Sequence, residues 1–349
     1  MKNSIIRRLH LWLSIPFGLV ITIICLSGSI LVFERDFGSM GQYEVCPDGR
    51  VPLPIDSLLS VANNSVPEGS AIAGIITYPD SCHAYKFMLT RPAMAALWVD
   101  QYTGEVMRPY QRAAIFKFAS SAHRRLFGTT KSKTGKHIIG ICTLCFVIIL
   151  ITGVILWWPR SAKDVGHKLK IPAGKGKYAF WHGLHCAGGM YITVILLVCA
   201  LSGLAWSFKW YNQGLYAILG SEQAKSSRHN KPAENYAAWQ NVYDYVSEIN
   251  PSREIRIYQG EAEVLCGGYG NQQAADTYKF DAETGTVTDV IMYDDQPKSR
   301  KIKGWLYTLH VGSWCGWWSK ILYFIIMLIG ATLPLTGYYM WIHRINHRH

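Results

Sequence analysis

Residues 183–190 read GLHCAGGM, and they lie in a run from Ala179 to Phe208 that contains no Asp, Glu, Lys or Arg. His185 stands at the mouth of that run, where an imidazole is costly unless something holds it. Arg8-Leu9-His10 opens the run Leu9–Phe33 in the same way, and two more charge-free runs follow, His137–Pro159 and Ile321–His343. Crossing a bilayer takes ~20 apolar residues, so all four runs qualify as membrane helices. The chain is half hydrophobic and only 17% charged over 349 residues. The expected fold class is an α-helical integral membrane protein with a four-helix core.

The basic residues orient the helices. Lys2, Arg7 and Arg8 precede the first, Arg160, Lys163, Lys168, Lys170, Lys175 and Lys177 join the second to the third, and Arg344 and Arg348 follow the fourth. The positive-inside rule makes these segments cytoplasmic and places both termini inside. The net charge of +12 is thereby accounted for, and no nucleic-acid partner is implied. The first helix lacks a small-x-small cleavage site and reads as an uncleaved anchor. The expected organisation is helix one (1–33), an outer domain (34–112), an interfacial segment and helix two (113–159), a basic loop (160–178) and helix three (179–208). A second outer domain (209–301), an interfacial segment with helix four (302–343) and a tail (344–349) complete it. The setting expected is a bacterial inner membrane, with both outer domains in the periplasm.

Of the nine cysteines, Cys46 and Cys82 share the first outer segment, and an oxidising compartment would let them pair. Cys142-x-x-Cys145 resembles a redox motif, but an apolar helix disfavours the thiolate such a motif needs, so these read as small hydrophobes.

The chain repeats itself. His10 is followed by Ser27-Gly28 and His185 by Ser202-Gly203, at the same spacing of 18 residues. Asp100, Thr103-Gly104 and Val106 are echoed by Asp281, Thr284-Gly285 and Val287. His123 and His310 mark the two returns to the membrane, and the closing helices carry Thr152-Gly153 before Trp157 and Thr336-Gly337 before Trp341. The whole series in order is a duplication. Each outer segment reads as a helix stopped by proline (Pro54–Val66, Glu234–Asn250) followed by β-type runs. These runs are Ala71–Tyr78, Ala84–Leu89 and Ala96–Asp100, then Glu254–Gln259, Glu263–Gly267 and Thr277–Asp281. Two small α+β domains are expected, with Thr-Gly at a turn and the aspartates as turn residues.

Both halves start on the same side, so they are parallel repeats about an axis along the membrane normal. His10 and His185 are then mates near the inner face, and His123 and His310 near the outer face. The pairs ending in Gly153 and Gly337 lie level with the first two histidines, and those ending in Gly28 and Gly203 nearer the second two. Two facing imidazoles with glycine gaps for a flat macrocycle suit a b-type haem at each level, the histidines being the axial ligands of the iron. Arg7 and Arg8 at one site, and Arg124 and Arg125 at the other, are placed to pair with propionates. The plainer account, interfacial anchors and packing gaps, suffices for any single histidine; four in this symmetry favour haem. Zinc would lack a cysteine or carboxylate to complete its site. His137 and His182 are second choices, His343, His347 and His349 read as a solvated tail, and His83, His167 and His229 as loop residues.

The R-x-L-H opening, the histidine-bearing return segments and the T-G-x-x-x-W closing helices resemble the PepSY-associated transmembrane family, within it the iron-regulated ferrisiderophore reductases. The likeness runs from about residue 5 to 343. It implies four core helices, two periplasmic PepSY-type domains, bound haem and reduction of ferric siderophores, with His10, His123, His185 and His310 on the family's histidine motifs. No G-x-G-x-x-G or P-loop occurs, so electrons must come from a separate donor, a soluble reductase or quinol. The expectation is a ferric-chelate reductase holding two haem b groups. A PepSY-type membrane regulator and a siderophore transporter subunit are the alternatives; a protease is excluded by the lack of H-E-x-x-H.

Overall fold

The computed structural model describes residues 2–37, 43–91, 95–107, 112–129, 132–159, 161–172, 174–223, 232–267 and 270–347; Arg160, His229, Arg348 and His349 lie outside them. The chain begins with α1 (Lys2–Leu31), α2 (Glu34–Phe37) and α3 (Ile55–Asn64). Strands β1 (Ile72–Thr77), β2 (Tyr85–Leu89) and β3 (Ala96–Val99) follow, then α4 (Ala114–Arg125), α5 (Lys133–Trp157) and α6 (Ala162–Lys168). The second half opens with α7 (Lys177–Gly183), a π-helical turn (Leu184–Gly188), α8 (Gly189–Ser207) and α9 (Lys209–Ile218). It continues through α10 (Trp239–Ile249) and strands β4 (Ile255–Tyr258), β5 (Glu261–Leu265), β6 (Ala275–Phe280) and β7 (Val287–Ile291). It closes with α11 (Lys298–Val311) and α12 (Gly316–Asn346). Two compact units result, one of residues 1–35, 113–223 and 306–349, the other of 36–112 and 224–305.

The first unit is helical. Ser4–Leu31, Lys133–Trp157, Lys177–Ser207 and Gly316–Asn346 are long and apolar enough to cross a membrane, at the places the charge-free runs indicate. Only a helix satisfies every backbone group of a lipid-embedded segment from within. α1 packs on α5 and α12, and α8 does the same, the arrangement expected of two repeats about an axis. Between them lie Ile21, Cys25, Ile149 and Ala331 in one cluster and Leu150, Leu196, Tyr323 and Met327 in another, with Phe146 against both. Cys142 is buried and Cys145 partly so, as small hydrophobes.

One expected boundary moves. The sequence places the second outer domain from residue 209, but residues up to 223, α9 among them, group with the helical unit. Tyr216 of α9 is buried and Asn212 donates to the Ala205 carbonyl of α8 at 3.0 Å, which ties α9 to the end of α8.

The second unit corrects the expectation of two separate α+β domains. It holds one seven-stranded antiparallel sheet in the order β3-β2-β1-β4-β5-β6-β7. The first strands of the two repeats meet at its centre, Gly74 opposite Tyr258, Ile75 opposite Ile257 and Ile76 opposite Arg256. Apart, each repeat would expose β1 or β4 as an unpaired edge, a template for aggregation. Gly74 is required at this seam: a Cβ there would stand 2.7 Å from the Ile257 carbonyl. α3 and α10 cover one face, and Leu58, Phe87, Ile75, Trp239, Val242 and Ile257 share a single core drawn from both repeats. The opposite face carries the stack Tyr43–Trp98 (centroids 4.0 Å) in the first repeat and the ion pairs Arg256–Glu254 and Arg300–Glu263 in the second.

The turn residues behave as the sequence suggests. Gly104 and Gly285 take φ of 75° and 76°. Asp281 accepts from the Glu283 and Thr284 amides, and the Thr284 amide first among these holds its carboxyl below the usual range. Asp100 accepts from the Tyr102 amide at 2.7 Å. Strand β7 was not expected: VTDVI is mostly exposed, so it shows no buried face in the sequence. Cys46 and Cys82 are both free thiols, and Cys46 Sγ donates to Asp48 Oδ1 at 2.9 Å.

Candidate functional site

The four histidines meet in two pairs within the helical unit. The His10 and His185 rings have centroids 6.4 Å apart at an interplanar angle of 88°. Those of His123 and His310 are 6.1 Å apart at 61°. Gly28, seated at the second pair, follows His10 by 18 residues of α1, which places the two pairs about 27 Å apart along that helix.

Each ring is seated by one [Ser/Thr]-Gly pair. His10 Nδ1 donates to the Ile149 carbonyl (3.1 Å) and to Thr152 Oγ1 (3.0 Å). His185 Nδ1 does the same to Leu333 O and Thr336 Oγ1, both 3.0 Å. His123 Nδ1 reaches Ile24 O at 2.9 Å and Ser27 Oγ at 3.4 Å; His310 Nδ1 reaches Cys199 O at 3.0 Å and Ser202 Oγ at 3.1 Å. The hydroxyls donate their own hydrogen to their helix, as Thr152 does to Ile148 O and Ser202 to Val198 O. They are therefore acceptors, as the carbonyls must be, and Nδ1 carries the proton. Each Nε2 is left with a lone pair, the state a metal-binding imidazole needs, and the Nδ1 hydrogen bond fixes its orientation.

The glycines lie against the histidine rings themselves. A Cβ at Gly28 or Gly203 would come within 3.2 Å of Cε1 of His123 or His310, and at Gly153 or Gly337 within 3.4 or 3.5 Å of Cε1 of His10 or His185. At Gly28 and Gly203 the missing Cβ makes room for an imidazole; at Gly153 and Gly337 a Cβ would be in ordinary contact with one. The spacing of the pairs was legible; which group fills the gap was not.

Tight connections aim the rings. α4 ends in two non-glycine residues at positive φ, Leu126 (47°) and Phe127 (65°). A Cβ on Gly135 would fall 2.1 Å from the Arg125 carbonyl. The end of α4 thus abuts the start of α5 just after His123, with strain of the kind found at functional sites. His185 lies inside the π-turn, another feature frequent at such sites.

Beside the second pair is a cavity of about 560 Å³, its walls including Phe146, Trp206, Tyr323 and Met327. Arg124 and Arg125 line it as expected, joined by Lys136 and Tyr307, which sequence reasoning passed over because neither belongs to a histidine or small-residue motif. Trp206 packs edge-on to His310 at 5.1 Å. Arg7 and Arg8 are exposed on α1. His137 turns to its own helix, Nδ1 to Lys133 O at 2.7 Å, and His182 stacks on Tyr178, so neither second choice enters a pair.

The donor set fits a bis-imidazole metal group. Bonds of about 2.0–2.1 Å from one metal ion to both Nε2 atoms put the two ring centroids roughly 6.3 Å apart, the spacing of both pairs. Among the described residues there is no cluster of three or more His, Cys, Asp or Glu arranged to hold a bare metal ion. The apolar cavity with Arg124, Arg125 and Lys136 at its wall suits a flat group bearing carboxylates.

No curated protein matches this chain. The model of the PepSY-associated TM region matches residues 7–344, nearly the full length, and the chain therefore belongs to the PepSY-associated transmembrane family.

Proposed function

We propose that this protein is a transmembrane haem reductase, carrying electrons from a donor on the side of its termini to a ferric siderophore on the other. The supporting observation is the pair of neighbouring imidazoles at each of two levels, every Nδ1 clamped so that Nε2 keeps its lone pair. A membrane regulator or transporter subunit has no use for such clamps. The basic flanks put the termini in the cytoplasm and the sheet unit in the periplasm of a bacterial inner membrane.

Two haem b groups are proposed, one held by His10 and His185, the other by His123 and His310. Such a group would supply a one-electron carrier. The chain's residues do the rest. Carbonyls at Nδ1 raise the basicity of the imidazoles and lock their planes. Arg124, Arg125 and Lys136 neutralise propionates, and the surrounding apolar side chains keep water out. One carrier cannot serve both faces of a hydrocarbon layer ~30 Å thick, and two stacked sites can. Reduction releases the iron because oxygen ligands that grip hard Fe(III) hold the softer Fe(II) less well.

Purified protein is expected to contain two haems per chain. After reduction by dithionite, a ferric siderophore should reoxidise them while a ferrous chelator captures Fe(II). Haems that stay reduced across a panel of ferric chelates would end this reading. Gly203→Val adds branched atoms where a single Cβ is already 3.2 Å from His310; one haem per chain is expected by pyridine haemochrome assay, with the first level retained.

A further inference from the structure

Next to the first pair is a cluster that the duplication does not explain. Tyr178 lies 4.5 Å from His343 and 6.1 Å from His182 by ring centroids, and Tyr339 lies 6.5 Å from Tyr178 and 6.1 Å from His343. Repeat spacing carries Tyr178 and His182 back to Asn3 and Arg7, and Tyr339 and His343 back to Ile155 and Pro159. The other half thus has no imidazole or phenol at these places. Whatever the group does, holding the symmetric pairs does not require it.

We infer that Tyr178, His182, Tyr339 and His343 form the site where a membrane-soluble quinol delivers electrons to the first pair, an inference that rests on the haem reading above. Position supports it. Thr336, which holds His185 Nδ1, and His343 are seven residues apart on α12, two turns along the same face and about 10 Å. Tyr178 and Tyr339 are 40% and 37% exposed near the ends of helices that cross the membrane, where a lipid-borne ring can reach them. Chemistry supports it too. Phenol rings offer faces for a quinone to stack on, and imidazoles beside them can take protons from its hydroxyls. A soluble protein donor would bring electrons without protons and would leave this group without a task.

The balance closes. The two O–H bonds of the quinol break, one proton passing to His343 and the other to His182, and the quinone returns to the lipid. Its two electrons would leave singly for the group that His10 and His185 would hold, and two ferric chelates at the far side would take them up as Fe(II).

The test uses full-length protein in lipid nanodiscs. A short-chain azido-ubiquinone, activated by light, should label peptides containing residues 178–182 and 339–343. Decylubiquinol should reduce the haems, and His343→Gln should slow this by about 10²-fold, the low end for a lost general base, while dithionite reduces wild type and variant alike. Tyr178→Leu, which removes a stacking face and no proton acceptor, should weaken labelling. Label elsewhere, wild-type rates in His343→Gln, or a soluble flavoprotein reductase working where decylubiquinol does not would overturn the inference. Labelling is also read on haem-free protein, so lack of haem, which ends the earlier reading, is told apart from lack of a quinone site.

Discussion

Each of His10→Ala, His185→Ala, His123→Ala and His310→Ala is expected to lose one haem of two and all electron transfer across the membrane. The loss should be local. In the first two variants the His123–His310 level keeps its bis-imidazole spectrum, and in the last two the His10–His185 level does, because about 27 Å of helix separates the sites. A partner imidazole left alone would still carry its Nδ1 hydrogen bond, so the fold should survive and the change should be read as haem content. His137→Ala is the control and should change nothing, since that ring is exposed and bonded to its own helix. Haem quantitation and low-temperature spectra of the five variants decide it; two haems with unaltered spectra in all four pair variants would remove the ligand assignment.

The largest stability effect is expected in the sheet unit. Trp239 on α10 is fully buried, at 0% exposure, in the core shared by both repeats. Trp239→Ala should cost about 3–5 kcal/mol, the range for deleting a large aromatic from a packed core. Because the core is one, the loss should not stay in the second repeat. Hydrogen exchange of full-length protein should quicken in β1 and β2 as well as in β4 to β6. Acceleration confined to β4–β7 would mean that the repeats fold as separate domains.

The parts legible in the sequence were those that a local pattern determines. Helix spans followed from charge-free length, and β1 to β6 from short apolar runs between turn residues. The histidine pairs followed from equal spacings in the two halves. What was missed depends on a distant neighbour. Nothing in Ile72–Thr77 says that its partner is Ile255–Tyr258, 180 residues away; the all-buried pattern of β1 becomes visible only once the partner is in place. The same is true of Gly28 and Gly203, where a small residue announces a gap but not its occupant, and of Lys136, which shares the opening of α5 with Lys133. The π-turn at His185 follows from no local signal we can name.

The seam between β1 and β4 carries a further consequence. Antiparallel pairing of equivalent strands about Ile75 and Ile257, and imidazoles meeting their own mates, are what an isologous dimer makes: the same patch used twice, each partner completing the other. Here both partners lie on one polypeptide, a homodimer closed by covalent linkage. Joined in that way, the halves always meet at stoichiometry and no longer need to be alike. A true homodimer would have to carry either His343 or Pro159 at both equivalent places, and likewise either His182 or Arg7. Linkage lets one copy keep a cation where the other keeps an imidazole, so that an electron entrance can be built on one flank alone.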